Sequence, residues 1–210
     1  MEEHYIITIA RGFGSGGKEI GSKLAKRLGI PCYESQILKM ASDYSGISEE
    51  LFNKNDEKLN KRAGLLNYLM KVQFSSVAEP STKEFTSNIN LFNIQKKIIR
   101  QLATTQSCVI VGKCADYVLR AYPNVVSAYI EAPRADCVSS IMNKLGVTDE
   151  EANRLIEKTD KYRSDYYKYY TGGQKWTNPV NYDLTLNSAR VGREQCVDVL
   201  EWYTKKKLGI

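Results

Sequence analysis

Histidine, paired cysteine motifs and long apolar runs are scarce or missing in this chain of 210 residues. With one histidine and no C-x-x-C pair, the usual ligands of a zinc site are lacking, so no zinc site is expected. No apolar stretch approaches the roughly 18 residues that a membrane-spanning helix needs. The start, Met1 to His4, contains two glutamates and is unlike the basic beginning of a signal peptide. We therefore expect neither a membrane span nor secretion.

The cysteines also argue against a disulfide framework. There are five, an odd number, and most lie inside apolar runs, which is typical of reduced core residues in a cytoplasmic protein. They are Cys32, Cys108, Cys114, Cys137 and Cys196.

The composition fits one globular domain with an anionic partner. The chain is 42% hydrophobic and 26% charged, with a formal net charge of +6. Small nucleotides fit this charge because their phosphates are negative. Nucleic acid is the alternative, but the basic residues are scattered and the one run, Lys205–Lys207, ends a helical pattern where lysines favour the helix dipole. Nucleic acid is therefore disfavoured as the partner. No sequence pattern indicates an oligomeric state.

A glycine-rich loop follows the first predicted strand. Residues 12–19 read GFGSGGKE and match the phosphate-binding pattern G-x-x-x-x-G-K-[S/T] at every position but the last. The apolar run Tyr5–Ala10 predicts a buried parallel strand before the loop, and the stripe from Ile20 to Leu28 predicts a helix after it. Glycines let successive N–H groups converge on an anion, while the helix N-terminus and Lys18 add positive charge. The order of strand, loop and helix favours a nucleotide phosphate site over a plain glycine turn.

The last position of that pattern, normally a magnesium-binding hydroxyl, is Glu19 here. A carboxylate in the first turn of a helix gains about 0.3–1 kcal/mol from the dipole. Roughly 5 Å from a phosphate it is repelled by about 3 kcal/mol at an effective dielectric constant near 20. Because the repulsion is larger, Glu19 is expected either to point away from the nucleotide or to face a cation such as Mg²⁺. The outward orientation is favoured.

Short strand patterns alternate with helical patterns along the chain. After Tyr5–Ala10, strands are predicted at Cys32-Tyr33, 108–112, 125–130 and 182–186, and the last helix at 193–207. This alternation predicts an α/β fold with a five-stranded parallel sheet covered by helices on both faces. There are no repeats and no low-complexity segments.

One long helical stretch, from about 45 to 103, interrupts the alternation. We expect it to be an insert over the carboxyl edge of the sheet, where ligands bind in such folds. The chain is accordingly interpreted as a single domain with this insert and with a lid at about 151–174. The core is assigned to 1–44, 104–150 and 175–210.

The predicted lid is polar, basic and rich in tyrosine. On a helix, Asp160 and Arg163 share a face, as do the tyrosines at 162, 166 and 169. One interpretation is a solvated helix with internal ion pairs and a tyrosine stripe packed on the core. The other is a closing lid that brings Lys161 and Arg163 to a transferring phosphoryl group, with a hinge at Gly172-Gly173. The glycine loop upstream favours the lid.

Taken together, these segments resemble the P-loop nucleoside monophosphate kinases, and among them the cytidylate kinase-like family. The resemblance extends nearly end to end, although 60–90 matches only as a helical insert. It rests on residues 7–21, 109–116, 132–134, 160–163 and 181–187. It implies the three-layer P-loop NTPase fold, ATP and Mg²⁺ as cofactors, and an acceptor monophosphate held by the insert.

The resemblance also implies roles for particular residues. The residues expected to bind ATP are Gly12, Gly14, Ser15, Gly16, Gly17, Lys18, Glu19 and Asn187, with Glu19 also the candidate metal ligand. The expected catalytic residues are Lys18, Lys161 and Arg163, and the expected acceptor-binding residues are Arg11, Lys113, Asp116 and Asp160. One departure concerns the acceptor: true cytidylate kinases follow their glycine strand with an Arg-Asp pair that grips the acceptor nucleotide, whereas here Gly112 is followed by Lys113-Cys114, with Asp116 two positions later. Lysine offers a point charge where arginine offers a planar fork.

The sequence thus predicts a cytoplasmic, Mg-ATP-dependent kinase that transfers the γ-phosphoryl group of ATP to a nucleoside monophosphate such as CMP or dCMP. Two alternatives stay open. One is a kinase of another small metabolite, consistent with the altered site after Gly112. The other is a catalytically weak nucleotide-binding sensor, if Glu19 compromises metal binding.

Overall fold

The structure is a computed structural model that describes residues 4–52 and 87–210. Within these ranges strands and helices alternate. The strands are β1 (Ile6–Arg11), β2 (Cys32–Tyr33), β3 (Cys108–Val111), β4 (Val125–Glu131) and β5 (Leu184–Asn187). The helices are α1 (Gly17–Leu28), α2 (Gln36–Ser45), α3 (Asn88–Thr105), α4 (Ala115–Val118), α5 (Arg134–Leu145), α6 (Asp149–Tyr170), α7 (Ser188–Val191) and α8 (Arg193–Leu208), with a 3₁₀ turn at Pro179–Asn181.

The five strands form one parallel sheet in the order β2-β3-β1-β4-β5. β1 is the central strand, and Ile7 pairs with Val109 on one side and Val126 on the other. Parallel strands need crossover connections, which the intervening helices supply. The predicted five-stranded parallel sheet with flanking helices is confirmed.

Helices cover both faces of the sheet, so the domain has three layers. Ile7 and Ile9 of β1 are fully buried against α1 and α8, whereas Ile6 and Ala10 face the cluster formed by α2, α3 and α6. Burying one such isoleucine side chain contributes about 1.5–3 kcal/mol. This two-sided burial explains why the strand is apolar along its whole length instead of alternating.

Glycines set the bounds and the close packing of α1. Gly16 and Gly29, at its two ends, both have left-handed backbone angles (φ 80° and 68°). Gly21 lies on the buried face, where an added Cβ would be 3.0 Å from a Val111 methyl group. The helix therefore packs directly on the sheet, which fixes the start of α1 relative to the end of β1.

The long helix α6 packs along the body of the domain. Its first half, through Ala152 and Ile156, packs on α5. Its second half buries Tyr166 and Tyr167, and the ring of Tyr170 stacks on Phe92 of α3 at 3.9 Å. The tyrosine-rich face thus packs on the core. The division into core, insert and lid remains a prediction.

The observed bounds differ from the predicted ones by a few residues. β1 begins one residue late and extends through Arg11, and β5 begins at Leu184 because Pro179–Asn181 forms a 3₁₀ turn before it. Of the predicted insert at 45–103, residues 53–86 lie outside the described residues. None of the described helices is both long enough and apolar enough to cross a membrane.

Candidate active site

The glycine loop between β1 and α1 has a backbone that only glycine accommodates at several positions. Gly14 has φ 92°, and a Cβ there would lie 2.7 Å from the carbonyl oxygen of Cys137. At Gly17 a Cβ would lie 2.5 Å from the Cβ of Arg11. Within the loop, the Ser15 hydroxyl donates to the carbonyl oxygen of Gly12 at 2.9 Å. The loop is therefore a compact turn at the N-terminus of α1, the position at which helices bind phosphate.

The loop forms one wall of a cleft of about 870 Å³. Other walls come from the first turns of α1, the C-terminal half of α5, and the side chains of Arg163 and Arg193. Ser15, a predicted ATP-binding residue, is buried (1% exposed) and is absent from the described lining of the cleft. The cleft combines a glycine-rich turn with several cations, which suits a polyphosphate.

An ion-pair chain links Lys18 to Arg11 through Glu34. Lys18 Nζ lies 2.5 Å from Glu34 Oε2, and Arg11 Nη2 lies 3.0 Å from Glu34 Oε1. Partial burial acts to raise the pKa of Glu34, but the hydrogen bond from Lys18 and the charge of Arg11 outweigh it, so the pKa is lowered. Sequence reasoning missed Glu34. Its signal was an acidic residue directly after β2, at the carboxyl edge where ligands bind.

Arg11 is a largely buried cation that lines the cleft. Burial lowers the pKa of its guanidinium, an effect that the nearby Glu34 carboxylate opposes. Its Nε is buried and has no hydrogen-bond partner within residues 4–52 and 87–210. An unsatisfied buried donor costs about 1–3 kcal/mol. An anion placed beside Arg11 would remove that cost.

Asp160 and Arg163 attach α6 to the glycine loop. The Asp160 carboxylate accepts the N–H of Phe13 at 2.8 Å, and Arg163 Nη1 donates to Asp160 at 3.2 Å and to the Arg11 carbonyl oxygen at 3.0 Å. Burial, with the charge of Arg11, lowers the pKa of Arg163 to about 10. Burial also raises the pKa of Asp160, against the Phe13 hydrogen bond and the Arg163 charge. Arg163 is thus a largely buried cation fixed at the loop.

Lys161 and Asn187 are predicted site residues that lie outside this cleft. Lys161 is 70% exposed and pairs with Asp165 at 3.7 Å, because two residues of helix rotate it away from the face that carries Arg163. Asn187 accepts from the backbone N–H groups of Ala189 and Arg190 and so caps α7. Neither residue is among the described residues that line this cleft.

A second, smaller cavity of about 110 Å³ adjoins the cleft. Arg11 and Arg163 line both cavities, and Lys113 and Asp116 line the smaller one. Much of its remaining wall is aromatic, from Tyr162, Tyr166, Tyr167 and Trp176. Three of the four predicted acceptor-binding residues, Arg11, Lys113 and Asp116, therefore lie around one cavity. The fourth, Asp160, contacts the glycine loop.

The turn after β3, which lines this smaller cavity, is strained. Gly112, Lys113 and Cys114 all have left-handed backbone angles, with φ of 77°, 60° and 53°. The conformation costs a non-glycine residue about 1–2 kcal/mol. Such strain is concentrated at ligand sites, where it fixes side chains in position.

Asp116 is the most perturbed carboxyl group of the site. It is 7% exposed, and the Tyr167 hydroxyl donates to its Oδ2 at 2.7 Å. Burial raises its pKa to about 6, although hydrogen bonds from Tyr167 and the backbone oppose the change. A buried carboxyl with a pKa near neutrality is a typical functional-site group.

Glu19 lines the cleft and faces two cations of the protein. Arg193 Nη1 lies 2.6 Å from Glu19 Oε2, and Lys23 Nζ lies 3.1 Å from Oε1. Partial burial acts to raise the pKa of Glu19, but hydrogen bonds from Lys23 and Arg193 outweigh it and lower the pKa. Arg193 was missed by sequence reasoning, since it lies 174 residues from Glu19 and no local pattern marks it.

The residues around the loop suit phosphates better than a metal held by protein alone. The nearby carboxylates of Glu19, Glu34 and Asp160 are each engaged in at least one ion pair. Within the described ranges, no group of three or more His, Cys, Asp or Glu residues is placed to hold a metal ion. Mg²⁺ is commonly bound by one or two carboxylates together with substrate phosphates. The described residues therefore do not form a dedicated metal cage.

Solved structures share this fold. An uncharacterized protein from Eubacterium ventriosum has a TM-score of 0.69 and 26% identity, over 96% of this chain and 99% of that one. Shikimate kinase from Bacteroides thetaiotaomicron has a TM-score of 0.52 and 12% identity, over 96% and 98% of the two chains. At 12% identity, the similarity to shikimate kinase shows a shared fold only, that of the P-loop kinases.

Sequence comparison places the chain in a family. A cytidylate kinase from Methanosarcina acetivorans is 26% identical over 129 residues, which are 60% of this chain and 67% of the relative. The sequence pattern of the cytidylate kinase-like family matches residues 6–190, which include the glycine loop, the smaller cavity, the lining of the cleft except Arg193, and β5. The chain therefore belongs to the cytidylate kinase-like family.

Proposed function

We propose that this protein is an ATP-dependent kinase that transfers the γ-phosphoryl group of ATP to a nucleoside monophosphate such as CMP or dCMP. The observation that carries the proposal is that two adjoining cavities share the guanidinium groups of Arg11 and Arg163. A phosphoryl group passing from a donor in one cavity to an acceptor in the other would lie beside both. Family membership and the P-loop kinase fold support a small-molecule kinase in general.

The donor side is the larger cleft. The glycine loop and the N-terminus of α1 would bind the donor phosphates through backbone N–H groups, and Lys18 would add a full charge. In the present structure Lys18 pairs with Glu34, so it would exchange that carboxylate for a phosphate oxygen. Mg²⁺, which the family implies, would be carried mainly by the phosphates, since the nearby carboxylates are engaged.

Arg11 and Arg163 lie where charge would develop during transfer. Each guanidinium is planar and matches phosphate oxygens with paired donors. Both are largely buried, with side chains 16% and 18% exposed, and low exposure strengthens their interaction with an anion. Catalysis would consist of positioning and charge stabilisation, without a covalent intermediate on the protein.

The smaller cavity is the proposed acceptor side. Tyr162, Tyr166 and Trp176 line it, and an aromatic ring that stacks on a base contributes about 1–3 kcal/mol per base. A cavity of about 110 Å³ holds only part of a nucleotide. The rest of the acceptor site is predicted in the 45–103 insert, of which 53–86 lie outside the described residues.

A second candidate is a kinase of a different small metabolite. It is favoured by the turn at Lys113-Cys114, where both residues have left-handed backbone angles and true cytidylate kinases have an Arg-Asp pair. Lysine cannot reproduce the forked contact of arginine, so the acceptor group opposite this turn would differ.

A coupled assay of ADP release over nucleoside monophosphates, nucleosides and small metabolites tests the proposal. We expect acceptor-stimulated turnover with CMP or dCMP, and a loss of about 10²–10³-fold in Lys18→Ala, because a positioned charge at the transferring group disappears. Lys26→Ala, an exposed lysine on the same helix, is the matched control and should stay within about twofold.

Other outcomes identify the alternatives. Turnover only with a non-nucleotide acceptor would identify the metabolite kinase. ATP binding without stimulation by any acceptor would favour the sensor.

A further inference from the structure

Arg193, the first residue of α8, has its guanidinium against the glycine loop. A Cβ built on Gly16 would lie 2.5 Å from Arg193 Nε and 3.0 Å from Cζ. Gly16 has φ 80°, so glycine is needed there for its backbone angle as well as for this contact. Arg193 lines the same cleft as Lys18 and Arg163. The far end of the chain therefore contributes a cation to the proposed phosphate site.

The guanidinium is held from two sides. Nη1 donates to Glu19 Oε2 at 2.6 Å, and Nη2 donates to the Ser140 hydroxyl on α5 at 2.7 Å. A side chain fixed in this way loses little further freedom when an anion binds. The Arg193 side chain remains 38% exposed, so an anion in the cleft can reach it.

An ordinary surface ion pair between α1 and α8 is the plainer interpretation. The same helices carry pairs of that kind, in which Arg27 contacts Glu194, Asp198 and Glu201. Arg193 differs from them in three respects: it lines the cleft, it lies beside Gly16 of the glycine loop, and it has a second hydrogen-bond partner, Ser140 on α5. None of these is needed to join two helices.

We propose that Arg193 binds the phosphate chain of the donor nucleotide and that Glu19 is a positioning residue that holds its guanidinium over the glycine loop. The proposal rests on the proposed function and names a further residue of its donor site. It also accounts for a carboxylate at the last position of the phosphate-binding pattern. Arg193 and Lys23 both pair with Glu19, and Lys23 also pairs with Glu194, so these four charges sum to zero and the Glu19 carboxylate does not meet a phosphate unpaired.

Equilibrium titration of the full chain with ATP, ADP and adenosine, with Mg²⁺ and without acceptor, tests the role of Arg193. We expect Arg193→Gln to weaken ATP binding about tenfold, the effect of losing one hydrogen bond between charged groups, and to leave adenosine binding within about twofold. Arg190→Gln removes the same charge from an exposed residue three positions away and should leave both within about twofold.

A double-mutant cycle tests the role of Glu19. We expect Glu19→Gln to weaken ATP binding about threefold and to have no further effect in the Arg193→Gln background, because it acts through that arginine. Thermal unfolding of each variant checks that the fold is kept. A purely structural ion pair would shift the unfolding temperature without changing the ratio of ATP to adenosine affinity.

Several outcomes overturn the inference. Equal or tighter ATP binding by Arg193→Gln would show that the arginine does not assist the nucleotide. An undiminished effect of Glu19→Gln in the Arg193→Gln background, together with a changed Mg²⁺ requirement, would make Glu19 a metal ligand. If the wild-type protein phosphorylates an acceptor, either of these results refutes only the roles given to Arg193 and Glu19. If the wild-type protein binds no adenine nucleotide, the proposed kinase function is refuted as well.

Discussion

Replacement of Asp116 by asparagine should change how the stability of the protein depends on pH. The carboxyl is buried beside Tyr167, which donates a hydrogen bond to it, and Tyr182 and Cys114 lie nearby. Burial raises its pKa from 3.8 to about 6, so the folded state holds the proton more tightly than the unfolded chain does. Stability from the neutral carboxyl is therefore fully present below pH 3.8 and is lost as the pH rises through about 6.

The size of the effect follows from this shift. A difference of about 2 pKa units, at about 1.4 kcal/mol per unit, corresponds to about 3 kcal/mol. Asparagine keeps a neutral side chain of the same shape, with an oxygen that can still accept from Tyr167. We expect Asp116→Asn to match wild type near pH 4 and to exceed its free energy of unfolding by up to about 3 kcal/mol at pH 8.

Urea unfolding of both proteins at several values between pH 4 and pH 8, followed by far-ultraviolet circular dichroism, measures the difference. Asp43→Asn, an exposed carboxyl on α2, is the matched control, and its difference from wild type should stay within about 0.5 kcal/mol throughout. If the free energies of unfolding of Asp116→Asn and wild type differ by the same amount at pH 4 and at pH 8, burial does not favour the neutral carboxyl and the argument is wrong.

Two further predictions concern the glycine loop and the arginine beside it. Gly14→Ala should lower the free energy of unfolding by about 2–4 kcal/mol, because left-handed strain adds to a collision with the Cys137 backbone, whereas Gly29→Ala, with open space around it, should cost only about 1–2 kcal/mol. Equal losses in urea unfolding would show that the loop is free to move away from α5. Arg163→Lys should lower kcat about tenfold or more with a small change in melting temperature, since an ammonium can replace the single nitrogen, Nη1, that contacts Asp160 and the Arg11 carbonyl but cannot offer a phosphate the paired donors of a planar guanidinium. An unchanged kcat in the folded variant would place Arg163 outside the transfer step.

The fold could be predicted from sequence because its signals are local and agree with one another. Ile6–Arg11 is apolar throughout since both faces of β1 are buried, and that pattern is visible without a partner. The glycine loop is equally local, because Gly14 and Gly16 need backbone angles that few other residues adopt. The bounds of elements could not be predicted to the residue, as β5 shows: it begins at Leu184, after a 3₁₀ turn that the strand pattern did not indicate.

Contacts between distant segments could not be predicted from sequence. Glu34 becomes a partner of Lys18 only when β2 and β1 end at the same edge of the sheet. Arg193 reaches Glu19 only because α8 packs on α1. For Lys161, helical periodicity alone turns the residue away from Arg163, but sequence could not say which side faces the cleft. The motif thus located the candidate site, and the topology supplied several of its charges.

The ion pair between Lys18 and Glu34 has a consequence for how salt affects the protein. An anion that binds Lys18 must displace a carboxylate already in contact with it, so binding is an exchange of one negative partner for another. Dissolved ions screen the pair that is broken as well as the pair that is formed. Titrations with ATP should therefore depend less steeply on ionic strength in the wild type than in Glu34→Gln, in which Lys18 has no such internal anion to leave behind.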